Sequence, residues 1–572
     1  MSKNKILFIF ILSFNISFIF TQTSEKHLVN DLFNGLYKKE IYSGYLKTDI
    51  EDTELFYIFT PSQSNPENDP IILWLNGGPG CSSTTGLFEE IGPVLFIPNK
   101  KEPILNEYAW NKNASVIFIE SPGGVGFSKL KNPNFFYNDE IQAVSLNIAI
   151  QNFFNIFPEY KNNIFYITGE SYAGTYIPHL VIKMFKYMDE NKNAIKLNLK
   201  GFLIGNPYSF EDTDFEDSMI EFFFSHALLS FETYEKYMKE CPHWPQIEKI
   251  YYPYEEKKDY KFEPIFDKNI LLPWKNVTRA CNEARNETAK AIDGINGYGI
   301  LKECPSNDTI FKLKKEFNNI NYYEANLHSE QNVFMKRIRQ NINNKYRRYI
   351  GLYLNNNNSN SSNETEFAEN YLSGCGNSYY TSNFLNDNIT KEKLGVDKSI
   401  IHYSCADLYY KWGDSMNYYK NDIKELSKNK NFTSWLFSGT EDVAVATLGT
   451  LRFLNELNYT IKEKWKKWKV DGQIAGMEQT YDYNLKFITV KGVGHMVPED
   501  NPKVAKVLLD NFLAFNKYEP KIENDSFPMW AIALIFIVSF LIILAVIIII
   551  IRVKRRKDSV EDIEEQGKLI PG

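Results

Sequence analysis

Patterns that assign many chains to a functional class are missing from this sequence. The formal net charge is −7, and no basic stripe occurs outside residues 552–557, so we do not expect a nucleic-acid-binding protein. The six cysteines have no C-x-x-C spacing, which makes a structural zinc site a poor interpretation. No internal repeat is visible. The function must therefore be sought in local motifs.

The composition that is present supports a folded domain with a large core. Hydrophobic residues make up 44% of the chain and aromatic residues 15%, which argues against disorder. The length of 572 residues exceeds that of an ordinary single domain. One large α/β domain that carries an insertion and two tails would account for it.

An apolar run near the start predicts how the chain is targeted. Lys3 and Lys5 precede the apolar residues 6–20, and a polar stretch follows, which is the pattern of a secretory signal peptide over residues 1–22. An uncleaved anchor is the alternative, because Asn15 interrupts the run and no clear small-x-small cleavage site follows it. We prefer the signal peptide.

A second apolar run, residues 529–551, is long enough to cross a membrane. A helix rises about 1.5 Å per residue, and a hydrocarbon core is roughly 30 Å thick. The basic residues 552–557 follow directly and should stay in the cytosol, which a buried core helix would not explain. We therefore predict a single-pass type I membrane protein. Its residues 23–528 should lie in the lumen of the Golgi, vacuole or lysosome, or outside the cell.

Cysteines and glycosylation sequons agree with that orientation. An even number of cysteines suggests three disulfides in an oxidising compartment, although the sequence leaves their connectivity open. Sequons of the type N-x-S/T precede the second apolar run, and none follows it. Within residues 23–528 they begin at Asn113, Asn276, Asn286, Asn307, Asn357, Asn360, Asn363, Asn388, Asn431, Asn458 and Asn524.

Short apolar runs that end in turn residues predict the buried strands of a parallel sheet. Helical stretches at residues 138–162 and 178–193 lie between them, so we expect helices to cover both faces of the sheet. From about residue 208 to 374 the chain is polar, aromatic and irregular, which indicates a cap inserted between core strands. The predicted strands are residues 71–76, 115–120, 163–168, 202–206, 434–439 and 487–492.

These features divide the chain into a core in two parts, an insert and terminal segments. The Asn-rich residues 355–363 form a solvated loop of the insert. The predicted segments are the signal peptide 1–22, the first part of the core 23–207, the cap 208–374, the second part of the core 375–516, a juxtamembrane linker 517–528, the transmembrane helix 529–551 and a cytosolic tail 552–572.

The stretch FYITGESYAG, residues 165–174, places Ser171 between an apolar strand and an apolar helical run. A sharp strand-to-helix turn of this kind exposes a nucleophilic serine above the sheet of an α/β-hydrolase. The pattern departs from G-x-S-x-G because Ala173 stands where the second glycine is expected. An ordinary turn before a helix is the alternative.

A serine nucleophile needs a base and an acid that orients the base. His495 lies in a glycine-rich loop after the last predicted strand, and Glu441 and Asp442 follow the strand before it. The order serine, acid, histidine is the order of an α/β-hydrolase. His179 and His226 compete as bases, although His179 belongs to the helix after Ser171 and is better explained by packing. The residues alone leave both acids open.

Six motifs together resemble the serine carboxypeptidase family, in the family's order and across about residues 40–515. By this resemblance the fold is an α/β-hydrolase with an inserted, largely helical cap, and Ser171, Asp442 and His495 are nucleophile, orienting acid and base. The family usually has an Asp at the position of Thr440, but the triad aspartate is retained, so we prefer Asp442 to Glu441. The motifs are WLNGGPGCSS (74–83), GLFEEIGP (86–93), ESPGGVGFS (120–128), GESYAGTYIP (169–178), IGNP (204–207) and GVGHMVP (492–498).

The resemblance also implies how the substrate is held. Backbone N–H groups of Gly78 and Tyr172 would stabilise the oxyanion. The substrate's terminal carboxylate would be bound by a set in which the carboxyl groups share protons, which favours acid pH. A turn that merely needs glycine, and a solvated helix residue at position 90, are the alternatives. The implied set is Asn76, Gly77, Glu90 and Glu170.

We therefore expect a serine-type carboxypeptidase that releases C-terminal residues from peptides and proteins without a metal or an organic cofactor. An acyltransferase or esterase with the same triad, or a protective, chaperone-like lumenal partner, is the alternative. Met496 should line the pocket of the leaving residue and favours apolar side chains, whereas the anchor and acidic tail suggest basic ones, so the preference stays open. Family order pairs Cys81 with Cys405, Cys241 with Cys281, and Cys304 with Cys375.

Overall fold

The computed structural model places a mixed sheet of twelve strands at the centre of the molecule. It describes residues 26–97, 100, 102–214, 217–241, 279–292, 295–303, 379–406 and 408–517. The strands are β1 (His27–Leu28), β2 (Tyr42–Lys47), β3 (Thr53–Thr60), β4 (Ile71–Leu75), β5 (Val94–Leu95), β6 (Ile104–Leu105), β7 (Ser115–Ile119), β8 (Lys129–Leu130), β9 (Phe136–Asn138), β10 (Ile164–Glu170), β11 (Asn198–Gly205), β12 (Tyr409–Lys411), β13 (Thr433–Gly439), β14 (Ile461–Val470), β15 (Gln473–Tyr481) and β16 (Leu485–Val490).

The six strands predicted from apolar runs form the parallel centre of this sheet. Their order is β7-β4-β10-β11-β13-β16, and each neighbouring pair is parallel. Every residue of β4, β7 and β13 is buried, as expected for strands that are covered on both faces. Antiparallel strands extend both sides: β1, β2 and β3 beyond β7, and β15 and β14 beyond β16.

Helices follow the central strands and end at identifiable signals. The side chain of Asn138 caps α1 by accepting a hydrogen bond from Ile141 N (2.9 Å), and Pro158 follows the end of that helix. The described helices are α1 (Asp139–Ile156), α2 (Ala173–Glu190), α3 (Glu211–Asp214), α4 (Asp217–Ser225), α5 (Phe231–Glu240), α6 (Arg279–Ala291), α7 (Tyr379–Asn386), α8 (Asn388–Lys393), α9 (Lys424–Lys430), α10 (Thr447–Glu456), α11 (Val497–Asp500) and α12 (Pro502–Lys517), with π-helical segments Gly86–Glu90 and Tyr418–Ile423 and 3₁₀ turns Trp110–Lys112 and Pro158–Tyr160.

The main core lies between the sheet and the pair α1 and α2. On β3, the ring of Phe59 meets the rings of Phe153 and Phe157 at 5.2 and 5.1 Å between centroids. On α2, Ile177 and Leu180 are fully buried in the same cluster. Burial of large side chains is the dominant stabilising contribution, and it fixes the end of β10 against the start of α2.

The described part of the insert contains four helices, which pack against the residues that follow β13. Helices α3 to α6 belong to it, and a disulfide joins Cys241 to Cys281. Phe222, Phe223 and Ala284 share a buried cluster with Val443, the residue after Asp442. The Asn-rich loop 355–363, Cys304 and Cys375 lie outside the described residues.

The chain divides at Phe512 into a compact unit and a second unit, Leu513–Gly572. Only the end of α12 represents the second unit among the described residues. In the part of the chain that the structure describes, no helix has both the length and the apolar character needed to cross a membrane. The predicted segments 1–22, 529–551 and 552–572 lie outside the described residues.

Candidate active site

Ser171 occupies a sharp turn between the last residue of β10 and the first residue of α2. Its φ is +61°, a left-handed conformation that is uncommon for a residue other than glycine. Ser171 N donates to Gly205 O (3.0 Å), and Ser171 O accepts from Tyr208 N (2.9 Å). These bonds to the end of β11 hold the strained turn so that the serine is presented above the edge of the sheet.

Asp442 and His495 lie at the same edge because they follow β13 and β16, which run parallel to β10. His495 Nδ1 lies 2.7 Å from Asp442 Oδ2, and the two residues are 2% and 0% exposed. A carboxylate at this distance fixes the orientation of the imidazole and stabilises its protonated form. The other ring nitrogen, Nε2, takes no part in this contact.

Among the described residues, neither Ser171 Oγ nor His495 Nε2 makes a hydrogen bond. Such catalytic contacts are often long without substrate and shorten when the substrate binds. Glu441, the other candidate acid, accepts a hydrogen bond from Thr440 Oγ1 (2.9 Å) and faces His226 at 3.7 Å. The structure thus brings Asp442 to His495 and directs Glu441 elsewhere.

Of the two other candidate bases, His226 faces Glu441, and His179 is held by contacts of its own. His179 Nε2 lies 3.0 Å from Asp414 O, and its Nδ1 lies 3.3 Å from Glu140 Oε1. The ring also packs on Tyr418, with 4.1 Å between centroids. These contacts agree with a packing role for His179.

A glycine-rich turn after β4 lies directly against the serine turn. A Cβ at Gly77 would come within 2.4 Å of Tyr172 N and 2.7 Å of Ser171 Cβ, so a side chain there is excluded. Gly78 has a φ of +108°. In the described part of the chain the N–H groups of Gly78 and Tyr172 donate no hydrogen bond. Tyr172 follows the serine and Gly78 follows Gly77, which lies against it, and this suits a pair of oxyanion donors.

Beside this turn, Asn76 joins two buried carboxyl groups. Asn76 Nδ2 donates to Glu170 Oε1 (2.9 Å) and lies within 3.3 Å of Glu90 Oε1. Trp74 Nε1 donates to Asn76 Oδ1 (2.8 Å), which fixes the direction of the amide. Glu90 and Glu170 are 1% and 4% exposed, so neither carboxyl group is solvated as it would be at the surface.

Burial raises the pKa of both carboxyl groups. The pKa of Glu90 is well above its ordinary value, because the group is desolvated and because Glu170 lies beside it. The pKa of Glu170 rises to about 8 through desolvation, with Glu499 and Asp442 adding to the effect and Glu90 and Asn76 opposing it. At neutral pH and below, the pair therefore holds at least one proton and can donate a hydrogen bond to an anion.

Two elements of the site escaped the sequence analysis. Asn206 lies after β11, where its Nδ2 donates to Asp442 Oδ2 (2.7 Å). It belongs to the motif IGNP, which was one of the six that carry the family resemblance but did not predict a contact with Asp442. The other element is a backbone segment of the insert near Tyr298, whose carbonyl oxygen accepts from His495 N (2.7 Å). Backbone contacts leave no side-chain signature.

Two disulfides are present among the described residues, and both are pairings that family order implied. Cys81–Cys405 ties the glycine-rich turn to the segment before β12, and Cys241–Cys281 lies in the insert. Met496 is partly buried next to His495 and precedes α11. This position is compatible with a pocket beside the catalytic edge.

Comparison with known proteins assigns the family. The model of the serine carboxypeptidase family matches residues 33–515, so the chain belongs to that family. Serine carboxypeptidase ctsa-4.1 of Caenorhabditis elegans is 30% identical and aligns over 91% of this chain and 99% of its own length. The lysosomal protective protein of Mus musculus is 31% identical, over 83% and 91%.

A solved structure confirms the α/β-hydrolase fold. The prohormone-processing carboxypeptidase Kex1(delta)p of Saccharomyces cerevisiae superimposes with a TM-score of 0.57 at 19% identity, over 86% of this chain and 95% of that one. The protein is therefore a serine carboxypeptidase, and the centre of its mixed sheet is parallel.

Proposed function

We propose that this serine carboxypeptidase cleaves the last peptide bond of its substrates through an acyl-enzyme on Ser171. His495 Nε2 takes the proton of Ser171 Oγ while the oxygen bonds to the carbonyl carbon. The N–H groups of Gly78 and Tyr172 stabilise the oxyanion. When the C–N bond breaks, His495 returns the proton to the leaving amine, and water then hydrolyses the ester by the same steps.

The observation that carries this proposal is the buried carboxyl pair next to the serine turn. Many hydrolases share a serine, histidine and aspartate, but an ester or an internal peptide bond presents no anion to bind. Glu90 and Glu170, held by Asn76, offer a proton at the place where a C-terminal carboxylate would lie. Because that proton is lost as the pH rises, we propose that activity is highest at acid pH.

Replacement of the nucleophile tests the chemistry. Ser171→Ala should abolish covalent labelling by a fluorophosphonate and nearly all release of C-terminal residues, because the variant lacks the hydroxyl that is proposed to form the acyl-enzyme. Ser64→Ala changes an exposed serine of a loop and serves as the matched control. Both variants should give the circular dichroism spectrum of the wild type. Normal labelling of Ser171→Ala would refute the assignment.

The preference for the C-terminal residue is the next part of the proposal, and it can be measured directly. Met496 next to His495 favours apolar leaving residues, and we propose that it lines their pocket. A panel of blocked dipeptides that differ only in the last residue, assayed across pH, should give the highest kcat/KM with apolar residues. A preference for Lys or Arg would contradict the role of Met496 and would leave the triad untouched.

We also propose that the enzyme acts in the lumen of the secretory system while a single helix, residues 529–551, anchors it. The apolar run, the basic residues 552–557 and the disulfides support this topology. In sealed microsomes, added protease should remove only the tail after Arg552, and glycosidase should lower the apparent mass. Digestion of the domain that contains Ser171 would contradict it.

A further inference from the structure

A backbone segment of the insert, residues 295–303, which we call the clasp, runs between the two catalytic loops. Gly297 O accepts hydrogen bonds from Val443 N and Ala444 N, both 3.0 Å, immediately after Asp442. Tyr298 O accepts from His495 N (2.7 Å). Two successive carbonyl groups of one segment therefore hold the loop of the acid and the loop of the base.

The clasp packs closely against the loop of His495. A Cβ at Gly494 would come within 2.0 Å of Tyr298 O, so only glycine allows the approach to His495. The ring of Tyr298 stands edge-on to the imidazole of His495, with 4.7 Å between centroids. Ile300 N donates to Glu441 O (3.2 Å), which adds a further bond to the loop of the acid.

Lys302 fastens the end of the clasp to the turn that follows the catalytic histidine. Its Nζ lies 3.0 Å from Glu499 Oε2 and also pairs with Asp500. Asp500 Oδ2 in turn accepts a hydrogen bond from Gly494 N (2.6 Å). The lysine side chain is 23% exposed and the two carboxylates 10% each, so the pairs are partly shielded from water.

The charge balance favours an ionised lysine at this site. Burial lowers the pKa of Lys302, but Glu499 and Asp500 more than offset it and the net shift is upward. The cation is thus present throughout the working range of pH. Removing it would take away the cation that two partly buried carboxylates share, which is costly.

We propose that Lys302 is a positioning residue for catalysis: through Asp500 and Gly494 it holds His495 in line with Asp442 and Ser171. This inference rests on the proposed roles of those three residues. The groups that bind the substrate carboxylate, Asn76 and Glu170, belong to other elements, but Glu499, a partner of Lys302, raises the pKa of Glu170. At acid pH Glu170 is protonated with or without Lys302, so loss of Lys302 should there disturb proton transfer more than substrate binding.

The test compares Lys302→Met with wild type on a blocked dipeptide at acid pH, where Glu170 is protonated in both proteins. A misplacement of about 1 Å can cost on the order of 100-fold in rate, so we expect kcat to fall roughly 10- to 100-fold with KM changed less than about threefold. The rate of fluorophosphonate labelling should fall in parallel, because it also depends on His495. Lys302→Arg, which keeps the cation, should restore most of kcat.

The matched control is Lys503→Met. Lys503 lies on the next helix, α12, and its exposed ion pair with Asp471 is removed in this variant, which should leave kcat unchanged. If Lys302→Met does not fold, the same kcat and labelling measurements are made on Asp500→Asn. This variant breaks the Lys302–Asp500 ion pair and keeps a side-chain oxygen that can accept from Gly494 N. A wild-type kcat and labelling rate in the folded variant would overturn the proposal. That outcome differs from failure of the proposed function, which would appear as activity in Ser171→Ala.

Discussion

Among single residues, Glu170 has the environment that most needs explanation. A serine that attacks a carbonyl group develops negative charge, and an ionised carboxylate one residue away would oppose it. Burial keeps this group protonated into the neutral range, with a pKa of about 8, and Asn76 holds its Oε1 at 2.9 Å. A neutral Glu170 does not oppose the oxyanion, and it can donate to an anionic substrate.

Glu170→Gln should separate this role from support of the serine turn. The amide keeps a donor at every pH, so kcat/KM for a free-acid peptide should persist to higher pH than in wild type, with some loss at acid pH from altered geometry. The matching amidated peptide carries no charge and should change much less. Equal losses for both peptides, with unchanged pH profiles, would mean that Glu170 only supports the turn.

Residue types alone predicted this site incompletely. Ser171 and His495 were predicted from a strand-to-helix turn and a loop after the last strand. Glu441 and Asp442 could not be separated, since both follow the same strand; the resemblance chose Asp442, and the structure brings that residue to His495. Asn206 escaped because an asparagine after a strand is an ordinary turn residue unless its partner is known.

Among the elements, α1 contributes a buried carboxylate that reaches the serine turn. Asp139, its first residue, accepts hydrogen bonds from the phenols of Tyr410 (2.8 Å) and Tyr172 (3.3 Å). Gly413 N donates to the same Tyr172 oxygen (2.9 Å). The side chain of the proposed oxyanion residue is therefore anchored on two sides, which fixes the direction of its backbone N–H.

Asp139→Ala should lower kcat while the secondary structure is kept. It leaves two buried phenols without this acceptor. Above the pKa of Asp139, about 6, these hydrogen bonds go to a charged group and are worth about 1.5–3 kcal/mol, so the free energy of unfolding should also fall there. Tyr410→Phe is the control, because it removes a phenol that does not belong to the turn. If the two variants lower kcat equally, Asp139 acts on stability alone.

The disulfide Cys81–Cys405 reinforces the glycine-rich turn in the same way. On either side of it, Ser82 N donates to Ser404 O (2.7 Å) and Ala406 N donates to Gly80 O (2.9 Å). Changing both cysteines to serine should cost about 2–4 kcal/mol of stability and should also reduce kcat, because Gly78 lies in this turn.

Removal of the other disulfide, Cys241–Cys281, provides the comparison, because it joins helices of the insert and does not touch the turn. It should lower the melting temperature with little change in kcat at moderate temperature. If this variant loses as much kcat as the first, the loss reports general unfolding and says nothing about the turn.

The elements that the sequence predicted are those buried on both faces. All six apolar runs became central parallel strands, because a covered strand must be apolar throughout. Strand β14 was missed: its residues, IKEKWKKWKV, are mostly exposed, and their lysines hide any apolar period. Charged side chains on an edge strand discourage pairing with another chain. The same lysines remove the apolar alternation by which a strand is recognised in a sequence.

At the scale of the whole molecule, several buried acids bind protons more tightly in the folded state than in the unfolded one. Burial raises the pKa of Asp214 to about 7 and of Asp139 to about 6, and it raises that of Glu90 as well. For an acid of raised pKa, the stabilisation is complete below its unfolded pKa and is lost as the pH rises through its folded pKa. Exposed ion pairs act in the opposite direction but contribute little.

Thermal stability should therefore fall as the pH is raised from about 5 to 8, since each pKa unit corresponds to about 1.4 kcal/mol. Asp214→Asn tests one contribution: Asp214 Oδ2 accepts from Ser209 N (2.7 Å) and Phe210 N (2.9 Å), and the amide oxygen can accept both bonds without ionising. Its melting temperature, measured by calorimetry at unit steps of pH, should decline less between pH 5 and 7 than that of the wild type. A wild-type curve that is flat or rises over this interval would show that these acids are ionised in the folded protein. The proposal that Glu170 holds a proton would then lose its support, because it relies on the same effect, the rise in pKa that burial causes.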